Sequence, residues 1–522
     1  MNVTFQIGAL LNDTDWKQLG SVLGGPSTVV NSVIRHLMLS NVTSYLLEDR
    51  YIDRDYSSDY RHFYAQTFKT YDRHCKRIHF FAEDISKLFS LPHWSNRVKA
   101  LEYTSQRSYC GFCVIRPLAN ASIGRTALKM RGPEGKDLET VITCRADFRA
   151  NLMGAELDVC GATFMQQDSR IGACAQIAIW MGARHMHQRY RYNWLSVADI
   201  TKLASPTTSD ESTTLPAGSE FLTSERMIRA VHEMGFQPLC FKGPNIGEQI
   251  LPYVESGLPV ILGLDIPGAN IGHAVTVIGR VFSKLDKATS RPIDFISGFI
   301  VHDDQAGPYK VIPATQTSAK EVGFAPEDTV LLKTRTGNLE FNIKEHGVFA
   351  IALMPIRAFS TARAAEVTAH RRINDAFLKI DLIKAEIQKS GNVNPLLDEL
   401  IAAHQAGDIV LKTYLTSTDG YRRHIANGTA CDALKDVLLG IHLPHFTWIT
   451  EISSKDSYNN SSAGLRRIYG HSVIDATSSG RDAAGLLILH LPGVIFLRDV
   501  NTQSQTAVMI DNDNLYECRE KR

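Results

Sequence analysis

The sequence has almost no net charge and no long apolar run. It carries 56 Lys and Arg residues against 55 Asp and Glu residues, which gives a formal charge of +1. Surfaces that bind nucleic acid or an anionic membrane carry an excess of cations, so this balance predicts neither partner. The most apolar stretch, 485–497, is shorter than a bilayer span and is interrupted by His490 and Pro492. We interpret it as two buried strands joined by a Pro-Gly turn.

A disulfide framework and a secretory leader are also lacking. The nine cysteines are an odd number and are scattered along the chain without the tight spacing of paired cysteines. The stretch MNVTFQIGALLNDTDWKQLG has no basic segment followed by an apolar one, as a secretory signal would have. Together these absences predict a reduced, cytoplasmic setting.

Several motifs that mark other enzyme classes are absent. The sequence has no G-x-S-x-G elbow of the serine hydrolases and no Walker loop for nucleotide phosphates. Cys110 and Cys113 form a C-x-x-C, but no second pair follows at the spacing of a zinc site, and on a strand the two side chains point to opposite faces. We therefore predict neither a metal nor a cofactor.

The length of 522 residues exceeds what one hydrophobic core normally supports. Helix and strand patterns occur in every third of the chain, which predicts the α+β class with α/β accessory domains. We expect an N-terminal accessory domain over residues 1–104, a central domain over 105–356 and a C-terminal accessory domain over 357–522.

Individual elements follow from periodicity and turn signals. Helices are predicted near 173–187, 218–236 and 245–257, and a long helical pattern at 357–391 begins the C-terminal unit. In the N-terminal third, aromatic residues at helical spacing predict a helix that faces the core: Tyr60, Phe63, Tyr64, Phe68 and Tyr71.

The central third contains a candidate thiol nucleophile and candidate partners for it. In QQDSRIGACAQIAIWM, Cys174 lies where a helix is expected to begin, and the amino end of a helix stabilises a thiolate. His273, in GHAVTVIG, is the candidate base, and we expect it at the start of a strand, facing outward from a loop. The segment FIVHDDQAGPY supplies the carboxylate that orients the imidazole. We prefer Asp303, with Asp304 as the alternative.

An acyl-transfer site also needs donors for the oxyanion. The backbone N–H of Cys174 is one candidate, and the side-chain amide of a nearby glutamine is the other. Gln167 and Gln166 both lie a few residues before Cys174.

These segments, in the order Gln, Cys, His and Asp, resemble the papain-like cysteine peptidases, and most closely the peptidase C39-like group. The resemblance covers roughly residues 160–310. It implies a papain-like fold for the central domain, with Cys174 as nucleophile, His273 as general base and acid, Asp303 as orienting carboxylate and Gln167 as oxyanion donor. Where the family usually has Cys-Gly, this chain has Cys174 followed by Ala175.

The resemblance implies a cysteine peptidase or amidase that hydrolyses a peptide or isopeptide bond of a protein or peptide substrate through a thioester. Two alternatives remain open at this stage. The same nucleophile could serve a transglutaminase-like enzyme or acyltransferase, or the fold could be a non-catalytic papain-like binding scaffold.

Overall fold

The computed structural model describes residues 5–135, 137–168, 173–205, 222–269, 272–283, 290–334, 337–389, 391, 394–459, 466–478, 485–499 and 504–517. Within them the chain mixes helices and strands, which confirms the α+β class. None of the helices described is long and apolar enough to cross a membrane.

The first part of the chain is rich in strands. Its strands are β1 Phe5–Ala9, β2 Ser44–Tyr51, β3 Cys75–Phe81, β4 Tyr109–Ile115, β5 Ile123–Lys129, β6 Leu138–Ile142, β7 Ala146–Leu152 and β8 Ala155–Phe164. Its helices are α1 Asp13–Val22, α2 Thr28–Leu39, α3 Arg54–His62 and α4 Trp94–Ser108.

Seven of these strands form one antiparallel sheet in the order β1-β2-β3-β4-β5-β8-β7. β3 lies before residue 104 and β4 after it, and the two are neighbours in the sheet, with Ile78 opposite Cys113. Strands on both sides of the predicted 104/105 boundary therefore belong to a single sheet.

The central part carries most of the candidate site. Its helices are α5 Cys174–Tyr190, α6 Val197–Ala204, α7 Ser224–Glu233, α8 Ile246–Glu255, α9 Ala319–Val322 and α10 Ile343–His346. Its strands are β9 Phe236–Lys242, β10 Val260–Asp265, β11 Gly272–Ser283, β12 Ile296–Asp303, β13 Gly307–Pro313, β14 Leu331–Thr334, β15 Gly337–Glu340 and β16 Gly347–Pro355.

The second sheet has the order β13-β12-β11-β10-β16-β9, and β6 also pairs with β11. All of its strand pairs are antiparallel. β10, β11 and β12 are buried along almost their whole length, which agrees with their continuous Val, Ile and Leu content. The carboxyl end of β12 and the amino end of β11 meet at one edge, where the candidate site lies.

The last part of the chain forms a third sheet with its own helices. The helices are α11 Ala362–Phe377, α12 Ile380–Lys389, α13 Pro395–Ala406, α14 Thr418–Asn427, α15 Asp432–Gly440 and α16 Lys455–Asn459. The strands are β17 Ile409–Ser417, β18 Phe446–Ser454, β19 Arg467–Ile468, β20 Gly470–Asp475, β21 Leu486–Leu491, β22 Val494–Arg498, β23 Gln505–Met509 and β24 Tyr516–Glu517. The sheet has the order β17-β18-β20-β21-β22-β23.

The predicted Pro-Gly hairpin is confirmed, because β21 and β22 pair with Leu491 opposite Val494. The aromatic helix predicted over residues 60–71 is wrong beyond His62. There α3 ends, and the chain continues as a short 3-10 turn at 64–66. Tyr64 is buried, but Phe68 is fully exposed, so the aromatic residues do not share one core-facing stripe.

Candidate active site

The thiol of Cys174 lies at the first residue of α5. Ala173 precedes it in an extended conformation with φ −83° and ψ −179°, so the helix begins at the cysteine itself. Cys174 is partly exposed, whereas the helix becomes buried at Ala175. The free N–H groups and the positive end of the helix dipole thus point toward the thiol, an arrangement that favours a negative charge there.

His273 is the second residue of β11 and is buried, with 3% of its surface exposed. The expectation that it faces outward from a loop is therefore wrong. The reason is its register in the sheet: His273 lies directly opposite the buried Leu264 of β10. Its ring is enclosed, and a carboxylate and a thiol lie beside it.

One ring nitrogen of His273 is bonded to the preferred carboxylate. Nε2 lies 2.7 Å from Oδ2 of Asp303, the last residue of β12. The Cys174 thiol is near the same imidazole, because it contributes to the raised pKa of His273 and both side chains line one cavity. Because Nε2 is occupied by Asp303, Nδ1 is the nitrogen left to face the thiol. The structure thus brings Cys174, His273 and Asp303 together from three separate elements.

The Asp303 carboxylate is held in place by the turn that follows β12. Its other oxygen, Oδ1, accepts hydrogen bonds of 2.8 Å from the backbone N–H groups of Gln305 and Ala306. Both carboxylate oxygens are therefore occupied, which fixes the direction in which Oδ2 meets the imidazole.

His273 and Asp303 each favour the charged form of the other. Burial by itself would lower the pKa of His273, but the Asp303 carboxylate outweighs it and raises that pKa well above its usual value. Burial likewise disfavours the Asp303 anion, but the facing imidazole and the two backbone donors lower its pKa below the usual value. The arrangement stabilises an imidazolium next to a carboxylate.

The alternative carboxylate has a different environment. Asp304 is also buried, but neither of its oxygens has a hydrogen-bond partner among the described residues. Burial raises its pKa to about 8, a shift that the nearby imidazole opposes and the Asp303 charge increases. Asp303, and not Asp304, therefore forms the hydrogen bond with the imidazole.

The helix that carries Cys174 is tied to the strand that carries His273. Thr276 of β11 donates a 2.8 Å hydrogen bond to the backbone oxygen of Ala178 in α5. On its other side, α5 is held by Asp55 of α3, which accepts from Trp180 Nε1 at 3.1 Å and from the guanidinium of Arg184. The first part of the chain therefore contributes directly to the position of the helix that carries Cys174.

The two glutamines differ in what their side chains contact. Gln166 donates from Nε2 to the backbone oxygen of Asn120 at 3.1 Å and accepts from the N–H of Ile123 at 3.3 Å. Its amide is therefore used to hold the connection between β4 and β5. Gln167 is half-buried. Neither glutamine is among the described residues that line the cavity next to Cys174, so the oxyanion role of Gln167 stays a prediction.

A cavity of about 540 Å³ opens beside the thiol and the imidazole. Its size is in the usual range of ligand sites. Its described lining is mostly apolar and comes from four regions: the start of α5, the segment around α7, the β10–β11 edge and the start of β16. A larger cavity of about 740 Å³ lies between α8, α11 and β17, but it contains none of the candidate catalytic residues, so size does not mark the site.

Neither the models of known protein families nor the curated proteins include a match to this chain. The roles of the candidate residues are therefore inferred from the geometry of this chain and from the resemblance of its short motifs.

Three of the side chains at this site have the chemistry of metal ligands. Among the residues described, His273, Asp303 and Asp304 form the one group of such side chains whose potential ligand atoms are close enough for this, all within 4.8 Å of one another. Nε2 of His273 and Oδ2 of Asp303 are already joined by a hydrogen bond. That hydrogen bond fits a pair in which Asp303 orients the imidazole and His273 exchanges a proton.

The sequence analysis missed one residue that contacts the imidazole. Phe341 is buried and stacks on His273, with ring centroids 6.2 Å apart and the planes inclined by 22°. It lies outside the 160–310 region that the family resemblance covers. Its neighbours in the sequence carry no motif, so the one available signal was an aromatic residue shortly before a short helix, which is common in any core.

Proposed function

We propose that this chain is a cysteine peptidase or amidase whose central part is a papain-like catalytic domain of the C39-like kind. The observation that supports the proposal most is the contact of three side chains from distant segments. Cys174 at a helix amino terminus meets His273, and His273 is bonded to Asp303 at 2.7 Å. A protein that only bound a partner would not need this arrangement beside an open cavity.

The chemistry would begin with attack of the Cys174 thiolate on the carbonyl carbon of the scissile amide. A carbon–sulfur bond forms, and the carbonyl electrons move to oxygen, where the Cys174 N–H and the Gln167 amide would hold the oxyanion. When the oxyanion collapses, the carbon–nitrogen bond breaks and His273 gives its proton to the leaving amine.

The second half of the cycle would release the acyl group. His273, now neutral, takes a proton from water, and the resulting hydroxide attacks the thioester carbon. The carbon–sulfur bond then breaks, a carboxylic acid leaves, and the thiolate–imidazolium pair is restored. The raised pKa of His273 supports this scheme, because the imidazolium is the form that must protonate the departing amine.

The proposal is tested by covalent labelling with a thiol-directed activity probe. We expect the wild-type chain to be labelled at Cys174, and both Cys174→Ala and His273→Ala to lose that label. Cys240→Ala is the matched control, since this thiol is exposed but lies on β9. Unchanged labelling of Cys174→Ala, or equal loss in the control, would contradict the proposal.

Product analysis then separates hydrolysis from acyl transfer. A labelled peptide is incubated with the chain, with and without an added primary amine, and its products are weighed by mass spectrometry. A free carboxyl product in both samples supports a peptidase. An amide product that dominates whenever the amine is present would assign the same nucleophile to acyl transfer instead.

A further inference from the structure

The described lining of the cavity beside Cys174 is mostly apolar, and outside the site itself it carries charge of one sign only. Apart from the site itself, its described lining is apolar or uncharged at every position but one. The exception is Asp265, the last residue of β10, which is exposed. No Lys or Arg is found among the lining residues that the structure describes. The cavity therefore combines apolar walls with a single anionic group at its edge.

The position of Asp265 is fixed by the strand that carries His273. It lies directly opposite Gly272, the residue immediately before His273. Because Gly272 has no side chain, nothing on that neighbouring position covers the aspartate. Asp265 is thus one residue pair away from the candidate base, and both residues line the cavity.

The charge of Asp265 is not compensated inside the described part of the chain. Exposed acidic residues elsewhere often pair with a cation, as Asp158 does with Arg149 at 3.0 Å. Within the described ranges no Lys, Arg or His forms an ion pair with Asp265. An uncompensated carboxylate at the rim of an apolar cavity attracts a ligand that is itself apolar and cationic.

Apolar residues form most of the remaining described lining. Met227 of α7 and Leu264 of β10 are buried, whereas Val348 at the start of β16 is 45% exposed. Phe349 follows it and packs closely over Gly263 of β10. Such walls favour an aliphatic or aromatic side chain, which would bury its surface there.

We propose that the cavity selects peptides which place an apolar side chain against these walls and a neighbouring lysine or arginine side chain on Asp265. The inference rests on the proposed peptidase function and names the substrate class of that same site. Asp265 acts here as a specificity residue. It binds the substrate's cation and takes no part in bond making or breaking.

The expected effect of Asp265 on substrate affinity is small, because its side chain is exposed to water. An ion pair in contact with water contributes little, so the gain from Asp265 is about two- to fivefold in substrate affinity. It weakens at high salt, because solvent-exposed charges are screened. It changes KM and leaves kcat almost unchanged, since the interaction is the same in the ground state and the transition state.

The test uses peptidyl acyloxymethyl ketones, which alkylate a nucleophilic thiol and need no turnover. Three inhibitors share an apolar residue and differ in its neighbour, which is Lys, Gln or Glu. The second-order rate of Cys174 labelling is measured for the wild-type chain and for Asp265→Asn and Asp265→Lys. We expect Lys to react about two- to fivefold faster than Gln in the wild type, equally fast in Asp265→Asn, and more slowly than Glu in Asp265→Lys.

The control is Asp147→Asn, an exposed aspartate on β7 of the first sheet, which should keep the wild-type order. If Cys174 is labelled but the Lys preference is absent, or survives in Asp265→Asn, the substrate inference is overturned while the peptidase proposal stands. If none of the inhibitors labels Cys174, and the activity probe also fails, the proposed function falls and the substrate class falls with it.

Discussion

Asp303 and Asp304 are consecutive and equally buried, yet their carboxyl groups are in opposite states. Asp303 accepts from His273 and from two backbone N–H groups, which lowers its pKa against the effect of burial. Asp304 has no hydrogen-bond partner among the described residues, and burial raises its pKa to about 8. At neutral pH the first is a carboxylate and the second is mostly a neutral acid. Two isosteric substitutions therefore separate their roles.

Asp303→Asn removes the negative charge that faces the imidazole. Asp304→Asn, in contrast, replaces a neutral acid by a neutral amide. Loss of a charged hydrogen-bond partner costs about 10- to 100-fold in kcat/KM. We expect that loss for Asp303→Asn at pH 7 and a change of less than about threefold for Asp304→Asn. Steady-state kinetics on a fluorogenic peptide provide the measurement. Equal losses in the two variants would show that the assignment of Asp303 is incorrect.

The raised pKa of Asp304 also predicts a pH dependence of stability. In the unfolded chain its pKa is near 3.8, and in the folded chain it is about 8. The folded state therefore holds the proton more tightly. The stabilising contribution of the neutral acid is fully present below pH 4 and is lost as the pH rises toward 8, by up to about 1.4 kcal/mol per pH unit.

Asp304→Asn has no such proton to lose. The free energy of unfolding of the variant, relative to the wild type, should therefore rise between pH 4 and pH 8 and level off above that. Urea denaturation of both proteins at several pH values measures the difference. A difference that does not vary with pH would mean that Asp304 titrates normally in the folded state.

Local patterns predicted the elements of the site well. The helix predicted from about residue 173 begins at Cys174, and the strands around His273 and before Asp303 are present. These elements depend on short-range signals: apolar runs, Gly and Asp at the turns, and helix-forming residues after the cysteine. The order of the three segments along the chain was enough to nominate the residues.

Long-range contacts were not predictable in the same way. The sheet that crosses residue 104 depends on pairing between strands far apart in sequence, and no local pattern encodes it. The burial of His273 follows from its place opposite Leu264, which is again a matter of register. The aromatic stripe at 60–71 failed for a different reason: aromatic residues have only moderate helix propensity, and α3 ends at His62.

Phe341 should restrain the imidazole by stacking on it. Phe341→Leu keeps most of the buried volume, so we expect a loss of about 1 kcal/mol in stability. The ring contact is lost, and we expect kcat/KM to fall by about tenfold, because the freed imidazole is less often aligned with the thiol. The control is Phe324→Leu, a buried phenylalanine that packs near Gly298. The idea fails if both variants lose the same activity at equal stability.

Asp55 should stabilise the helix that carries Cys174. It accepts from Trp180 and Arg184 of α5, and all three side chains are buried. Asp55→Ala would leave the Arg184 guanidinium buried without this partner, which costs about 3–5 kcal/mol. Asp158→Ala is the matched control, because its ion pair with Arg149 is exposed and contributes about 0–1 kcal/mol.

Both variants are compared by chemical denaturation and by the rate of Cys174 labelling. Asp55→Ala should lose several-fold in labelling at temperatures where the wild type stays fully labelled, because α5 loosens before the whole chain unfolds. A variant as stable as the control would show that the contacts of Asp55 with Trp180 and Arg184 do not stabilise α5. A destabilised variant that also loses labelling would make Asp55 part of the structure that positions Cys174.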